Sequence, residues 1–200
     1  ELANIYDNQT WANRFFSGGS AEYKPFEWLT NRIRVGLDVN VGTAQLYYAP
    51  DPRVPYQARF SLDLDNSKGF IAEARPLTTD ATINYDATAT KTLTSTITSN
   101  TSFGMQYLSN VYRRTEAIGL DLGAAGVRSV SSAAVTSSTE RDTMQKSFGV
   151  YAQEQLGWRD RLFGTAAVRM DNNSAFGSKL NRVFYPKVSG SYVISEEPFF

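Results

Sequence analysis

From Leu29 to Thr43 the chain alternates with a period of two. Leu29, Asn31, Ile33, Val35, Leu37, Val39, Val41 and Thr43 fall on one side, and Thr30, Arg32, Arg34, Gly36, Asp38, Asn40 and Gly42 on the other. Side chains two apart share a face of a strand, so one face is aliphatic and the other carries charge. A helix would scatter Arg32, Arg34 and Asp38 among the valines. The spacing predicts a strand of roughly 14 residues, well beyond the mode of about 5–6 in globular sheets. A tilted strand needs about 9–11 residues to cross a bilayer, plus extension past the headgroups. Length and alternation together point to a membrane barrel.

The same pattern recurs along the chain. Ala12 to Lys24 alternates through Phe15, Gly19, Ala21 and Tyr23. Ala81 to Thr98 sets Thr82, Asn84, Asp86 and Thr88 against Ala81, Ile83, Tyr85 and Ala87, with Lys91 an exception on the apolar side. Beyond a turn at Ser99-Asn100-Thr101, Ser102 to Thr115 puts Phe103, Met105, Tyr107 and Val111 opposite Gln106, Asn110 and Arg114. Thr143–Gly157 and Leu162–Asp171 flank a turn at Trp158–Arg161, and Val183–Ser195 forms a seventh strand. Phe199-Phe200 would open an eighth. Thr143–Gly157 admits two assignments, because Glu154 shares a side with Phe148, Val150, Ala152 and Leu156. A carboxylate in hydrocarbon is costly, which favours Tyr151 toward lipid and Glu154 toward water.

Connections after Lys24, Thr98, Gly157 and Ser195 are tight, whereas those from Thr43 to Ala81, Thr115 to Thr143 and Asp171 to Val183 are long. Short and long links that alternate strictly suit a barrel with short periplasmic turns and longer extracellular loops. Tyr23, Phe26, Trp28, Trp158, Phe163, Tyr192 and Phe199 lie near the short turns and would supply an interfacial girdle. The expected fold is therefore all-β, an antiparallel up-and-down transmembrane β-barrel segment.

Composition narrows the chemistry. With no Cys and no His, thiolate sites, disulfides and His-based acid–base catalysis are excluded, and no nucleophile–base arrangement can be assembled. The chain is expected to be neither an enzyme nor a cofactor or metal protein. Net charge is zero, so nothing favours nucleic acid. No apolar run is long enough for a transmembrane helix.

Towards the end, motifs become recognisable: Tyr-Ala-Gln-Glu at 151–154, Arg-Leu-Phe at 161–163, Val-Arg-Met-Asp at 168–171, Asp-Asn-Asn-Ser-Ala-Phe-Gly at 171–177 and Tyr-Pro-Lys-Val-Ser at 185–189. With Pro25–Asn40, they resemble the barrel of TonB-dependent outer-membrane receptors, in particular the SusC-like (RagA-like) transporters. The resemblance implies a barrel of about 22 strands in the bacterial outer membrane, closed by a plug. It implies import of oligosaccharides, peptides or similar nutrients, energised by TonB through an N-terminal segment, often beneath a SusD-like lipoprotein. Residues 1–200 are then expected to form one partial barrel domain of about seven to eight strands, with plug and barrel ends outside it. Unpaired strand edges are untenable in lipid, so the segment needs neighbouring strands, from the rest of its own barrel or from another subunit. The alternatives are a structural or interaction role in a membrane complex, or a porin independent of TonB.

Candidate site residues follow from phase. Arg32, Arg34, Asp38, Asn40, Arg169 and Asp171 are expected to face the lumen, against plug or solute or in mutual ion pairs. Tyr47, Tyr48 and Tyr56 fall in the first long loop and offer rings for a ligand. Asp63–Gly69 begins like a calcium loop, but its Gly comes one place late and Ala74 stands where the bidentate Glu belongs. A polar turn is the simpler reading.

Overall fold

The computed structural model describes residues 6–50, 68–174 and 182–197. Among them seven strands follow one another: β1 (Tyr6–Phe26), β2 (Leu29–Tyr48), β3 (Phe70–Thr94), β4 (Ile97–Leu122), β5 (Ala133–Trp158), β6 (Leu162–Asn173) and β7 (Val183–Tyr192). They form a single sheet in sequence order. The pairs β5–β6 and β6–β7 are antiparallel, with Tyr151 opposite Arg169 and Arg169 opposite Tyr185. This is the all-β, up-and-down architecture that the alternation predicts.

The short links are shorter than expected: Glu27-Trp28, Ser95-Thr96 and Arg159–Arg161. The second lies four residues ahead of the expected position. Thr94 explains the shift, since its hydroxyl oxygen accepts the backbone N–H of Ile97 at 3.1 Å and ties the turn by a side chain. Ser99 and Thr101 consequently belong to β4. In the third turn Arg159 and Asp160 both adopt positive φ, 52° and 55°. That geometry matches the right-handed twist of a hairpin.

Several strands also outrun their expected ends. β3 starts at Phe70 rather than Ala81, β4 ends at Leu122 rather than Thr115, and β5 starts at Ala133 rather than Thr143. The stretch added to β5 carries charge on both faces, with Glu140, Arg141 and Asp142 in a row. Alternation reports a contrast between two environments. Where both faces meet water the contrast disappears, although backbone pairing continues. β7 is shorter than expected, stopping at Tyr192 before a single 3-10 turn at Ile194–Glu196. Phe199-Phe200 lie outside the described residues.

Contacts divide the chain into two units. One gathers β1 as far as Phe15, β2 from Asp38, β3 as far as Thr79, β4 from Val111 and β5 as far as Thr143. It holds a small core of Tyr47, Ile71 and Leu122, joined by Ala49, Val130 and Ala133. Gly69 is obligatory there: its φ is +70°, and a Cβ would come within 2.6 Å of both the Tyr48 carbonyl and the Pro50 nitrogen.

The other unit holds the remainder of those strands with β6 and β7. Its alternating positions resolve into two faces. Ile33, Val35 and Leu37 of β2, Ile83 of β3, Phe103 of β4, Phe148 and Leu156 of β5, Leu162 and Val168 of β6 and Val188 of β7 are all exposed. An aliphatic surface spread over that many strands is not stable against water and marks contact with an apolar phase. Lys91, the exception on this side, is accommodated by lying over the Trp28 ring, with Nζ 4.3 Å from the centroid. Trp28 also stacks on Phe26 at 5.3 Å, so aromatics do gather at this turn. Phe163 instead lies opposite Gly157, on the face of Tyr151 and Arg169, and does not belong to the girdle.

A charge introduced on the aliphatic face is expected to cost about 2–4 kcal/mol at mid-strand. Leu37→Arg should therefore reduce the folded fraction of the full-length protein, read as the heat-modifiable band on a gel. Asn40→Arg, on the polar face, should leave that band at the wild-type level.

Candidate functional site

The face opposite the aliphatic one carries side chains that bridge between strands. Arg34 of β2 donates through Nη2 to Asp86 Oδ2 of β3 at 2.6 Å. The second oxygen of Asp86 accepts the Tyr151 hydroxyl of β5 at 2.9 Å. β4 lies between β3 and β5, so the tyrosine must cross a whole strand. It crosses at Gly104, where a Cβ would collide with the Tyr151 ring. Tyr151 shows why glycine occurs in the middle of a strand: it is a bed for a neighbour's side chain.

A second bridge runs the other way. Arg169 of β6 donates through Nη2 to Gln106 Oε1 of β4 at 3.0 Å, and Gln106 Nε2 donates to Asn84 Oδ1 of β3 at 3.0 Å. Arg169 Nε also donates to both carboxylate oxygens of Asp171 at 2.9 Å. The intervening strand again presents glycine: a Cβ on Gly149 would collide with Asp171 and stand 2.8 Å from Arg169 Nη2. Beside these bridges lies a cavity of about 280 Å³, bounded by Asp80, Thr82, Asn110, Gln145, Ser147 and Asn173. Two of these residues are bonded to each other, Asn110 Nδ2 donating to Asp80 Oδ1 at 2.6 Å. Ion pairs this open to solvent stabilise little individually. Their effect is to fix the orientation of a wall of donors and acceptors that water or a polar solute can share.

The sequence-derived candidates distribute as follows. Arg34, Arg169 and Asp171 belong to the bridges. Arg32 Nη2 donates instead to Glu22 Oε2 of β1 at 2.5 Å. Asp38 lies in the unit with the small core, where Arg14 Nε donates to its Oδ1 at 2.9 Å. Asn40 is exposed on β2. Tyr47 and Tyr48 are not loop residues: they end β2 and are buried, at 4% and 7% exposure. The Tyr47 hydroxyl accepts the Gly126 N–H at 2.7 Å, and Tyr48 stacks on Phe70 at 5.7 Å, so neither ring stands free for a ligand. Tyr56 and the calcium-like Asp63–Ser67 lie outside the described residues. Among the described residues no acidic cluster has the makings of a metal site.

Sequence reasoning missed the residues that do the bridging: Asp86, Gln106, Asn84 and Tyr151. The first three were on the polar side by phase alone. Tyr151 is a correction: it lies on the polar face and Glu154 on the opposite one, the reverse of the expected assignment. Glu154 is tolerated there because it accepts the Ser99 and Thr101 hydroxyls at 2.5 and 2.6 Å, four residues from the end of β5. Moving the β3–β4 turn is what brings those two hydroxyls to it.

A sheet of long antiparallel strands, aliphatic on one face and bridged by polar side chains on the other, is the wall of a membrane β-barrel. The chain belongs to the TonB dependent receptor-like β-barrel family, whose pattern matches residues 1–197. Among solved structures, the RagAB peptide transporter is similar, with a TM-score of 0.86 and 15% identity over 98% of this chain and 21% of that one. The RagAB peptide importer in its closed-closed state gives 0.83 and 16% identity over the same shares, 98% and 21%. The chain thus spans about a fifth of the length of the structures it matches, 21%. No curated protein matches it by sequence.

Gly104→Val is expected to push Tyr151 off its bed and break its bond to Asp86, at a cost of about 1–3 kcal/mol. Tyr151→Phe removes the hydroxyl alone and should cost about 0.5–1.5 kcal/mol. In a double-mutant cycle, adding Tyr151→Ala to Gly104→Val should recover part of the loss, measured by chemical unfolding of the full-length barrel. Strict additivity of the two changes would contradict the crossing.

Proposed function

We propose that these residues form part of the barrel wall of a TonB-dependent, SusC-like transporter in the bacterial outer membrane, importing a nutrient. The observation that carries this reading is the two-sided sheet of a TonB dependent receptor-like barrel, with one face aliphatic and the other lined by fixed polar bridges. The aliphatic side faces lipid. Arg32, Arg34, Asp38, Asn40, Arg169 and Asp171 face the lumen, where the bridges of Arg34 and Arg169 present a hydrated surface to plug and solute. The short turns lie at the periplasmic end and the longer connections outside the cell.

The remainder of the assembly belongs to the same proposal: a plug within the barrel, an N-terminal segment that engages TonB, and a SusD-like lipoprotein over the mouth. Similarity to RagAB, described as a peptide transporter, favours peptides over oligosaccharides as cargo.

The distinguishing property is energy coupling. Cells carrying the full-length gene should take up peptide cargo only while TonB and the proton-motive force are intact, and Arg34→Ala should slow that uptake severalfold with normal barrel assembly. Uptake that continues undiminished without TonB would make the barrel a passive porin.

A further inference from the structure

We propose that the cleft between β3, β4 and the connection from β4 to β5 binds the phosphate of a lipid headgroup. This inference rests only on the barrel lying in a membrane, and not on what is transported.

The cleft has a volume of about 350 Å³. It is lined by Glu73, Arg75 and Arg128, by the hydroxyls of Thr115, Ser129 and Ser131, of which the two serines bond each other at 2.8 Å, and by Ala117 and Val130. Two guanidinium groups beside hydroxyls are a donor set suited to a phosphate ester, since each planar fork can engage two of its oxygens.

Both arginines are held in place by carboxylates without being used up. Arg75 Nε donates to Glu73 Oε1 at 2.6 Å, and Nη2 lies 2.5 Å from the same oxygen, so Glu73 engages one edge of the fork. Arg128 Nη1 donates to Asp7 Oδ2 at 2.5 Å, while its guanidinium lies 4.7 Å from the centre of the Tyr47 ring. A guanidinium offers five N–H donors, so each has others to give. The side chains remain 70% and 41% exposed, and the connection that carries Arg128 is held near the sheet by the bond from the Gly126 N–H to the Tyr47 hydroxyl.

Position identifies the phosphate as a lipid's rather than a free ion's. Arg75 shares its face of β3 with Leu77, two residues along, and Thr115 shares its face of β4 with Arg113 and then Val111. On these two faces an arginine adjoins an apolar residue, Arg75 next to Leu77 and Arg113 next to Val111. A headgroup phosphate sits at such a junction, with its acyl chains continuing over the apolar residues, and arginine near such a surface contributes to anionic lipid binding. Ala117 and Val130 accept the carbon skeleton of the headgroup, for which a hydrated inorganic ion has no use.

The test is lipid retention by the full-length protein released from nanodiscs of mixed phosphatidic acid and phosphatidylcholine, read by native mass spectrometry. Wild type should retain phosphatidic acid preferentially. Arg75→Gln with Arg128→Gln should lower that preference about thirtyfold, given two arginines near the surface. Arg159→Gln, in the turn at the far end of β5, should keep it. The pair Arg75→Lys and Arg128→Lys preserves charge without the fork, and should fall between wild type and the glutamine pair if the latter folds poorly. The proposal is overturned if the glutamine pair retains the wild-type preference, if Arg159→Gln loses as much, or if millimolar inorganic phosphate displaces the lipid. A protein that does not enter nanodiscs at all would instead overturn the membrane placement on which the proposed function rests.

Discussion

In an extended strand, a side chain's number decides its surroundings, because neighbours point to opposite faces. Everything else in this molecule depends on that constraint. Ile33, Val35 and Leu37 can be exposed only because Arg32, Arg34 and Gly36 are thereby turned the other way. Antiparallel pairing then carries the phase from strand to strand: once Tyr151 lies opposite Arg169, the side of every residue on β5 and β6 within that register is settled. A slip of one residue would exchange greasy and wet positions throughout.

Upon this phase the polar face adds a second rule, which concerns size. Tyr151 and Arg169 each reach over an intervening strand, and each finds glycine there, at Gly104 and Gly149. Single-strand alternation treats glycine as a neutral gap. In the sheet these two positions are where the wall is tied together across strands, so that Arg34, Asp86, Gln106 and Arg169 present a fixed pattern rather than a set of independent flexible chains. The unit with the small core follows other rules. There both faces of β4 and β5 carry charge, and Tyr47, Ile71 and Leu122 cluster as in a water-soluble protein.

How much of this was legible follows from the same physics. The course of β2 was plain, because Arg32, Arg34 and Asp38 contrast with aliphatic neighbours, and so was the order of short and longer links. The motifs at 151–154 and 168–171 pointed to the family that matches residues 1–197. The outer part of β5 was invisible, since Glu140, Arg141 and Asp142 put charge on both faces and remove the contrast from which strands are read. Glu154 misled because its cost in hydrocarbon was weighed without Ser99 and Thr101, which only the true position of the Ser95-Thr96 turn supplies. Tyr47 and Tyr48 looked like loop rings because their burial depends on Ile71, Phe70 and Gly126, distant in sequence. Phase is local and readable, whereas partners two strands away are not.

The most direct measurement uses the absence of cysteine from this chain. Single cysteines placed in turn at 32 through 41 of the full-length protein, in intact membranes, would be challenged with a membrane-impermeant maleimide and with a lipid-soluble one. The account predicts an unbroken alternation: even positions react from water and odd positions from the bilayer. Uniform labelling by the water-soluble reagent at both sets, or protection of both odd and even positions from either reagent, would contradict it.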